Sequence, residues 1–97
     1  MKELDEIKDI IRQQRGVLRD QYGVAVVAIF GSYVRDEQKT ESDVDLLVEV
    51  LRPVSLLELA GAEIYLSEIL GAKVDLVPKR SIREELKKAI LEEAVAL

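Results

Sequence analysis

Residues 31–50 read GSYVRDEQKTESDVDLLVEV, and the rest of the chain can be placed around them. Val44 to Val50 alternates cleanly. Val44, Leu46, Val48 and Val50 fall on one side of an extended strand; Asp43, Asp45, Leu47 and Glu49 fall on the other. That pattern predicts a strand with one face packed on helices and one face carrying acids. At the other end of the stretch, Gly31-Ser32 follows the run VAVVAIF at 24–30, which is apolar on both sides and suits a strand buried within a sheet. Gly31 ends that strand. Ser32 is a good N-cap for a short helical turn through Val34 and Arg35, and Glu37 to Ser42 reads as loop.

Upstream, Leu4, Ile7, Ile11 and Leu18 lie at helical spacing, with Ile10 and Val17 widening the stripe. An amphipathic helix over 3–21 is expected, capped near Gly23. Downstream, Arg52-Pro53 breaks the second strand. Ser55 and Glu58 form a capping-box pattern, opening a helix that should run to about Leu70 and bury Leu57, Ala60 and Ile64, together with Leu56 and Leu70. Gly71 stops it. KVDLV at 73–77 is a third short strand, closed by Pro78, with Asp75 and Lys73 facing away from Val74 and Leu76. Ser81 and Glu84 repeat the capping-box spacing, and a last helix carrying Ile82, Leu86, Ile90 and Ala94 should end with the chain. The order is helix, strand, turn, strand, helix, strand, helix. It implies a single α+β domain over residues 1–97: a small mixed sheet of three core strands with helices mainly on one face.

Composition narrows the chemistry. The chain has no Cys and no His, which leaves no disulfide framework and no thiolate or imidazole metal ligand. A metal here must be held by oxygen, which favours Mg²⁺, Mn²⁺ or Ca²⁺. The net charge of −5 argues against general nucleic-acid binding. The longest apolar run is too short to span a bilayer, and the charged start MKELDEIKDI is not a signal peptide, so a cytoplasmic location is expected.

Asp43 and Asp45, two apart on a strand, leave the same face with Cα atoms roughly 6 to 7 Å apart, close enough to share hard cations. Asp75 interrupts an apolar strand, where a carboxylate is costly unless exposed, paired or metal-bound. Beside the second strand it would face the same space as Asp43 and Asp45; otherwise it sits on a solvated face with Lys73. Gly31 allows a sharp turn and close approach to a ligand, and the backbone N–H groups after it, with the Ser32 hydroxyl, can hold a phosphate. The other reading of Gly31-Ser32 is a plain strand-to-helix turn. Arg35 either reaches phosphate or braces Asp43 or Asp45. Lys79, Arg80, Arg83, Lys87 and Lys88 gather around the last helix, interleaved with Glu84, Glu85, Glu92 and Glu93, as on a solvated helix face.

Gly31-Ser32, ten residues, Asp43-x-Asp45 in a strand and a later Asp75 in another strand together resemble the nucleotidyltransferase superfamily of the DNA polymerase beta type. The phrases GSYVR, SDVDLLVEV and ILEEAVAL resemble its minimal nucleotidyltransferases, over nearly the whole chain. The resemblance implies the polymerase beta-like fold, two Mg²⁺ ions (or Mn²⁺) held by Asp43, Asp45 and Asp75, and ATP as substrate with Gly31 and Ser32 on its phosphates. It further implies transfer of AMP to a hydroxyl of a partner protein, as by antitoxins paired with HEPN-domain toxins. The alternative is a non-catalytic module that neutralises a partner by contact. Many minimal members read Gly-Ser-x-Ala-Arg-Gly; here Val34 and Asp36 stand in place of the Ala and the second Gly.

Overall fold

The computed structural model describes residues 3–31 and 43–97. The expected turn after Ser32, Arg35 and the loop through Ser42 lie outside the described residues. Among those described, the elements are α1 (Leu4–Gln13), α2 (Arg15–Val17), a π-helical turn (Leu18–Tyr22), β1 (Val24–Phe30), β2 (Val44–Val50), α3 (Leu56–Leu70), β3 (Val74–Pro78), a 3₁₀ turn (Lys79–Ser81), α4 (Glu84–Glu93) and β4 (Val95–Ala96). The strand order is β3-β2-β1-β4. β2 pairs antiparallel with β1 and parallel with β3, and α3 supplies the crossover between the parallel pair. No described helix is long and apolar enough to cross a membrane.

The core lies on one face of the sheet. Val44, Leu46 and Val48 of β2 are fully buried there with Val24, Val26 and Ile29 of β1 and Val74 and Leu76 of β3. Ile7 and Ile11 of α1, Leu18, and Ala62, Leu66 and Leu70 of α3 cover them. β1 keeps this face only because its register shifts between Val26 and Ala28: Val26 pairs with Val48, but Ala28 pairs with Leu47. The extra residue moves the inward positions from even to odd, so Ile29 faces the core and Phe30 lies opposite Asp45 on the other face.

Several expectations are corrected. The N-terminal helix is not continuous. Gln14 leaves helical geometry, and the Tyr65 hydroxyl donates to its side-chain Oε1. The wider π turn that follows delivers Leu18 to the core and Tyr22 against Tyr65, with ring centres 5.6 Å apart. Gly23 does cap this segment, at φ +68°. The Arg52 and Val54 side chains lie where a Cβ at Gly23 would stand, 2.9 Å from it.

The Ser55–Glu58 capping box is present in both directions, and Gly71 ends α3 at φ +68°. The face that α3 buries is different from the expected one. Ala62, Leu66 and Leu70 are buried, with Leu59 packed beside them; Leu56 and Leu57 are 85% and 82% exposed and Ile64 is 60% exposed. The helix is apolar on two sides, so its period alone does not say which side turns inward.

The second capping box does not form. Ser81 belongs to the 3₁₀ turn, Ile82 is extended, and Arg83 is the N-cap of α4 with no side-chain cap bond. Nor does the last helix run to the end of the chain. Ala94 is extended at ψ 141°, and Val95–Ala96 form a fourth strand against Ile29 and Ala28 of β1, continued by a bond from the Leu97 N–H to the Val27 carbonyl at 3.4 Å. The sheet therefore has four strands, not three. So short a strand needs the open edge of β1 to form, and nothing local in EAVAL announces it.

Candidate active site

The parallel register of β2 and β3 decides the site. Asp45 pairs with Asp75 and Val44 with Val74, which brings Lys73 beside Asp43. Since Val44, Leu46, Val74 and Leu76 are buried on the core face, the odd-numbered residues turn to the opposite face. Asp43, Asp45 and Asp75 thus lie on one face, on neighbouring strands whose backbones are ~4.8 Å apart. All three are half-buried. Leu47, on the same face, is fully buried, so this face too excludes water beside the acids.

Gly31 joins the site from β1. Its φ is +83°, the left-handed region that favours glycine, and a Cβ there would overlap Asp45 Oδ2 and stand 3.1 Å from Asp45 Cγ. The end of β1 is thus pressed against the β2 carboxylate. Chain path and acid are fitted to one another, which the sequence showed only as two features fourteen positions apart.

The alternative reading of Asp75 pairs it with Lys73 on a solvated face. The Lys73 Nζ lies 3.9 Å from Asp43 Oδ2 instead, across the strand pair. Both groups are open to water, so the pair adds little stability; its effect is to set one positive charge among three acids.

β3 is an edge strand, and α3 closes its edge. The Val74 N–H donates to Ser67 Oγ at 3.0 Å, and the Leu76 N–H donates to Glu63 Oε2 at 2.9 Å. Ser67 Oγ itself donates to the Glu63 carbonyl at 2.6 Å. These bonds satisfy backbone groups that would otherwise template another strand. They also fix the backbone on either side of Asp75. Sequence reading missed Glu63 and Ser67, because their role depends on which face of α3 turns inward.

The donor set is all carboxylate oxygen, which suits Mg²⁺ or Mn²⁺ rather than a softer ion. The space beside Gly31 is filled by the Asp45 carboxylate. Among the described residues no three acids converge tightly enough to enclose one ion; the acids share a face and a register rather than a closed cage. Ser32 and Arg35 lie outside the described residues. Lys79 and Arg80 follow the far end of β3 and line a small hollow with Glu49 and Val50, away from the carboxylates. Lys87 pairs with Glu84 at 3.3 Å. The basic residues around α4 do not gather at the acids.

Residues 11–97 match the family model described as nucleotidyltransferase domain. The chain is 50% identical over 93 residues to a Methanocaldococcus jannaschii protein that carries the provisional name of protein adenylyltransferase, covering 96% of this chain and 95% of that one. It is 43% identical over 95 residues to the protein adenylyltransferase MntA of Thermococcus cleftensis, covering 98% and 96%. A solved structure described provisionally as a minimal nucleotidyltransferase superposes with a TM-score of 0.80 at 31% identity, over 99% of this chain and 97% of that one. A chain of a complex described as a tri-AMPylated Shewanella oneidensis HEPN toxin with MNT antitoxin gives a TM-score of 0.65 at 21% identity, over 93% and 70%, a likeness of fold alone. With the mixed sheet, the crossover and the acid-bearing face already in place, these matches make the chain a member of the nucleotidyltransferase domain family and an enzyme of that class.

Proposed function

We propose that this nucleotidyltransferase moves AMP from ATP to a hydroxyl of a partner protein, with divalent metal held by Asp43, Asp45 and Asp75, in the cytoplasm. The observation that carries the reading is the register of Asp45 beside Asp75, with Asp43 on the same face and Gly31 against Asp45. Bound Mg²⁺ would supply charge neutralisation on the phosphates and on the attacking and leaving oxygens. The chain's own part is to hold three acids on a half-buried face, exclude water there with Leu47, and turn the backbone sharply at Gly31. In this reading Gly31 and Ser32 meet the triphosphate, and Arg35 meets phosphate or braces an acid. The names of the curated relatives support a protein as acceptor, and the fold shared with an MNT antitoxin supports a HEPN-domain toxin as that protein.

One observation favours the alternative, a module that acts by contact alone: the three acids do not form a closed cage among the described residues. Incubation with a purified HEPN-domain toxin and ATP labelled at the α-phosphate separates the two. Label on the toxin, abolished by Asp75→Asn, upholds transfer. Toxin inhibition without label upholds the binding module. Calorimetry adds the metal: Mg²⁺–ATP affinity should fall sharply in Asp43→Asn, and unchanged affinity would remove Asp43 from the metal site.

A further inference from the structure

α3 is apolar on two sides, and only one is used by the fold. Leu59, Ala62, Leu66 and Leu70 turn to the sheet. Leu57, Ala60 and Ile64, spaced i, i+3 and i+7, form a second stripe, with Leu56 widening its start. Leu57 and Ile64 are mostly in water. Scattered exposed leucines are ordinary on a protein surface, but a continuous helical stripe of them marks a contact face.

Two features say what covers it. The fifteen residues of α3 include Glu58, Glu63 and Glu68 and no basic residue, so the stripe has an acidic border. Glu58 is paired with Arg52 at 3.0 Å, which leaves Glu63 and Glu68 as the acids that border the stripe; two copies packed on it would bring like charges together, which disfavours self-association. A basic-flanked segment is favoured instead. The second feature is continuity with the candidate active site. An open groove of about 420 Å³ runs from Ala60 and Ile64 past Glu68 to Lys73 and Asp75. A chain seated on the stripe is thereby led to Asp75.

We propose that the outer stripe of α3 docks an amphipathic helix of the protein partner, with apolar anchors on Leu57, Ala60 and Ile64 and lysine or arginine flanks facing Glu63 and Glu68. The proposal rests on the protein-acceptor reading above and supplies the surface that reading lacks. Docking on α3 places the acceptor segment in the groove, so recognition depends on a helix face beside the candidate active site rather than on the acids themselves.

The probe is a purified HEPN-domain toxin, titrated against the full chain. Leu57→Glu with Ile64→Glu replaces two exposed side chains, so thermal stability and Mg²⁺–ATP affinity should match wild type. Toxin affinity should fall on the order of 100-fold, as when central apolar anchors are lost. Glu68→Lys should weaken binding less and reduce its salt dependence. Asp75→Asn should bind toxin as wild type does. Equal toxin affinity in the double variant and wild type overturns the proposal, as does failure of wild type to bind. Sedimentation showing a wild-type dimer that the double variant dissolves would assign the stripe to a second copy and also overturn it. Wild-type binding without label transfer, lost in the double variant, upholds the docking surface and sinks the transfer reading instead.

Discussion

β2 and α3 are neighbours in the chain and both rich in apolar residues, yet they behave in opposite ways. β2 alternates, so Val44, Leu46 and Val48 of one parity are buried and the other carries Asp45 and Glu49. α3 is apolar on two sides, and its burial is settled only by what it packs against. In β2, polarity itself marks the face that faces away from the core. In α3, two stripes of similar composition differ because one meets the sheet and the other meets water. The lesson is that pattern identifies a face only where the two faces differ in chemistry.

The sharpest break between the two elements is expected from Asp45→Asn. Asn keeps the shape of the side chain and removes only its half-buried charge. Nucleotidyl transfer should drop roughly a thousandfold, equivalent to about 4 kcal/mol of barrier, while the melting temperature stays close to wild type. A transfer assay beside a thermal melt reads both. A large fall in melting temperature would mean that Asp45 is structural.

The two stripes of α3 are separated by a pair of truncations. Leu66→Ala opens a cavity under the sheet and should cost about 2–4 kcal/mol in denaturant unfolding. Ile64→Ala, two residues away, should change stability by under about 0.5 kcal/mol. Similar losses at both positions would contradict the assignment of the inner face.

Gly31→Ala tests the join between strand and site. A side chain there must adopt φ +83° and displace the Asp45 carboxylate. The expected cost is about 1–2 kcal/mol of stability, with a matching loss of ATP affinity. Gly71→Ala, at a similar φ but with open space around it, should carry the backbone cost alone. The difference between these two glycines measures how closely the end of β1 is fitted to the acid.

The smallest effect concerns the start of α3. The Ser55 N–H and then Arg52, 3.0 Å away, hold the Glu58 carboxyl below the usual glutamate range. A carboxyl depressed in the folded state adds stability at pH above its unfolded value, and that stability is lost as pH falls through the folded value. Glu58→Gln should therefore be slightly less stable than wild type at neutral pH, and the two melting curves should converge on acidification. Curves that stay parallel would show that the charge contributes nothing.

Much of the candidate site was legible in the sequence. Asp43 and Asp45 declare themselves by interrupting one parity of an apolar strand, and Asp75 by doing so in another. Absence of His and Cys leaves oxygen as the donor for the proposed metal. What was not legible is relational. Lys73 reaches Asp43 rather than Asp75 because parallel pairing sets residues on separate strands side by side. Glu63 and Ser67 guard the β3 edge because α3 turns that face to it.

By itself the sequence determined the three main strands, the Ser55–Glu58 cap, the glycine stops at Gly23 and Gly71, and the acid-bearing side of β2. These rest on local geometry: strand alternation, the spacing of cap and helix, and the freedom of glycine at positive φ. Only the tertiary structure decided the strand order, the bulge that redirects Phe30, the inward face of α3 and the fourth strand at Val95–Ala96. Each of those depends on a partner distant in sequence. The free energy that selects them comes from burial and pairing between elements, and no local window of residues contains both sides of such a contact.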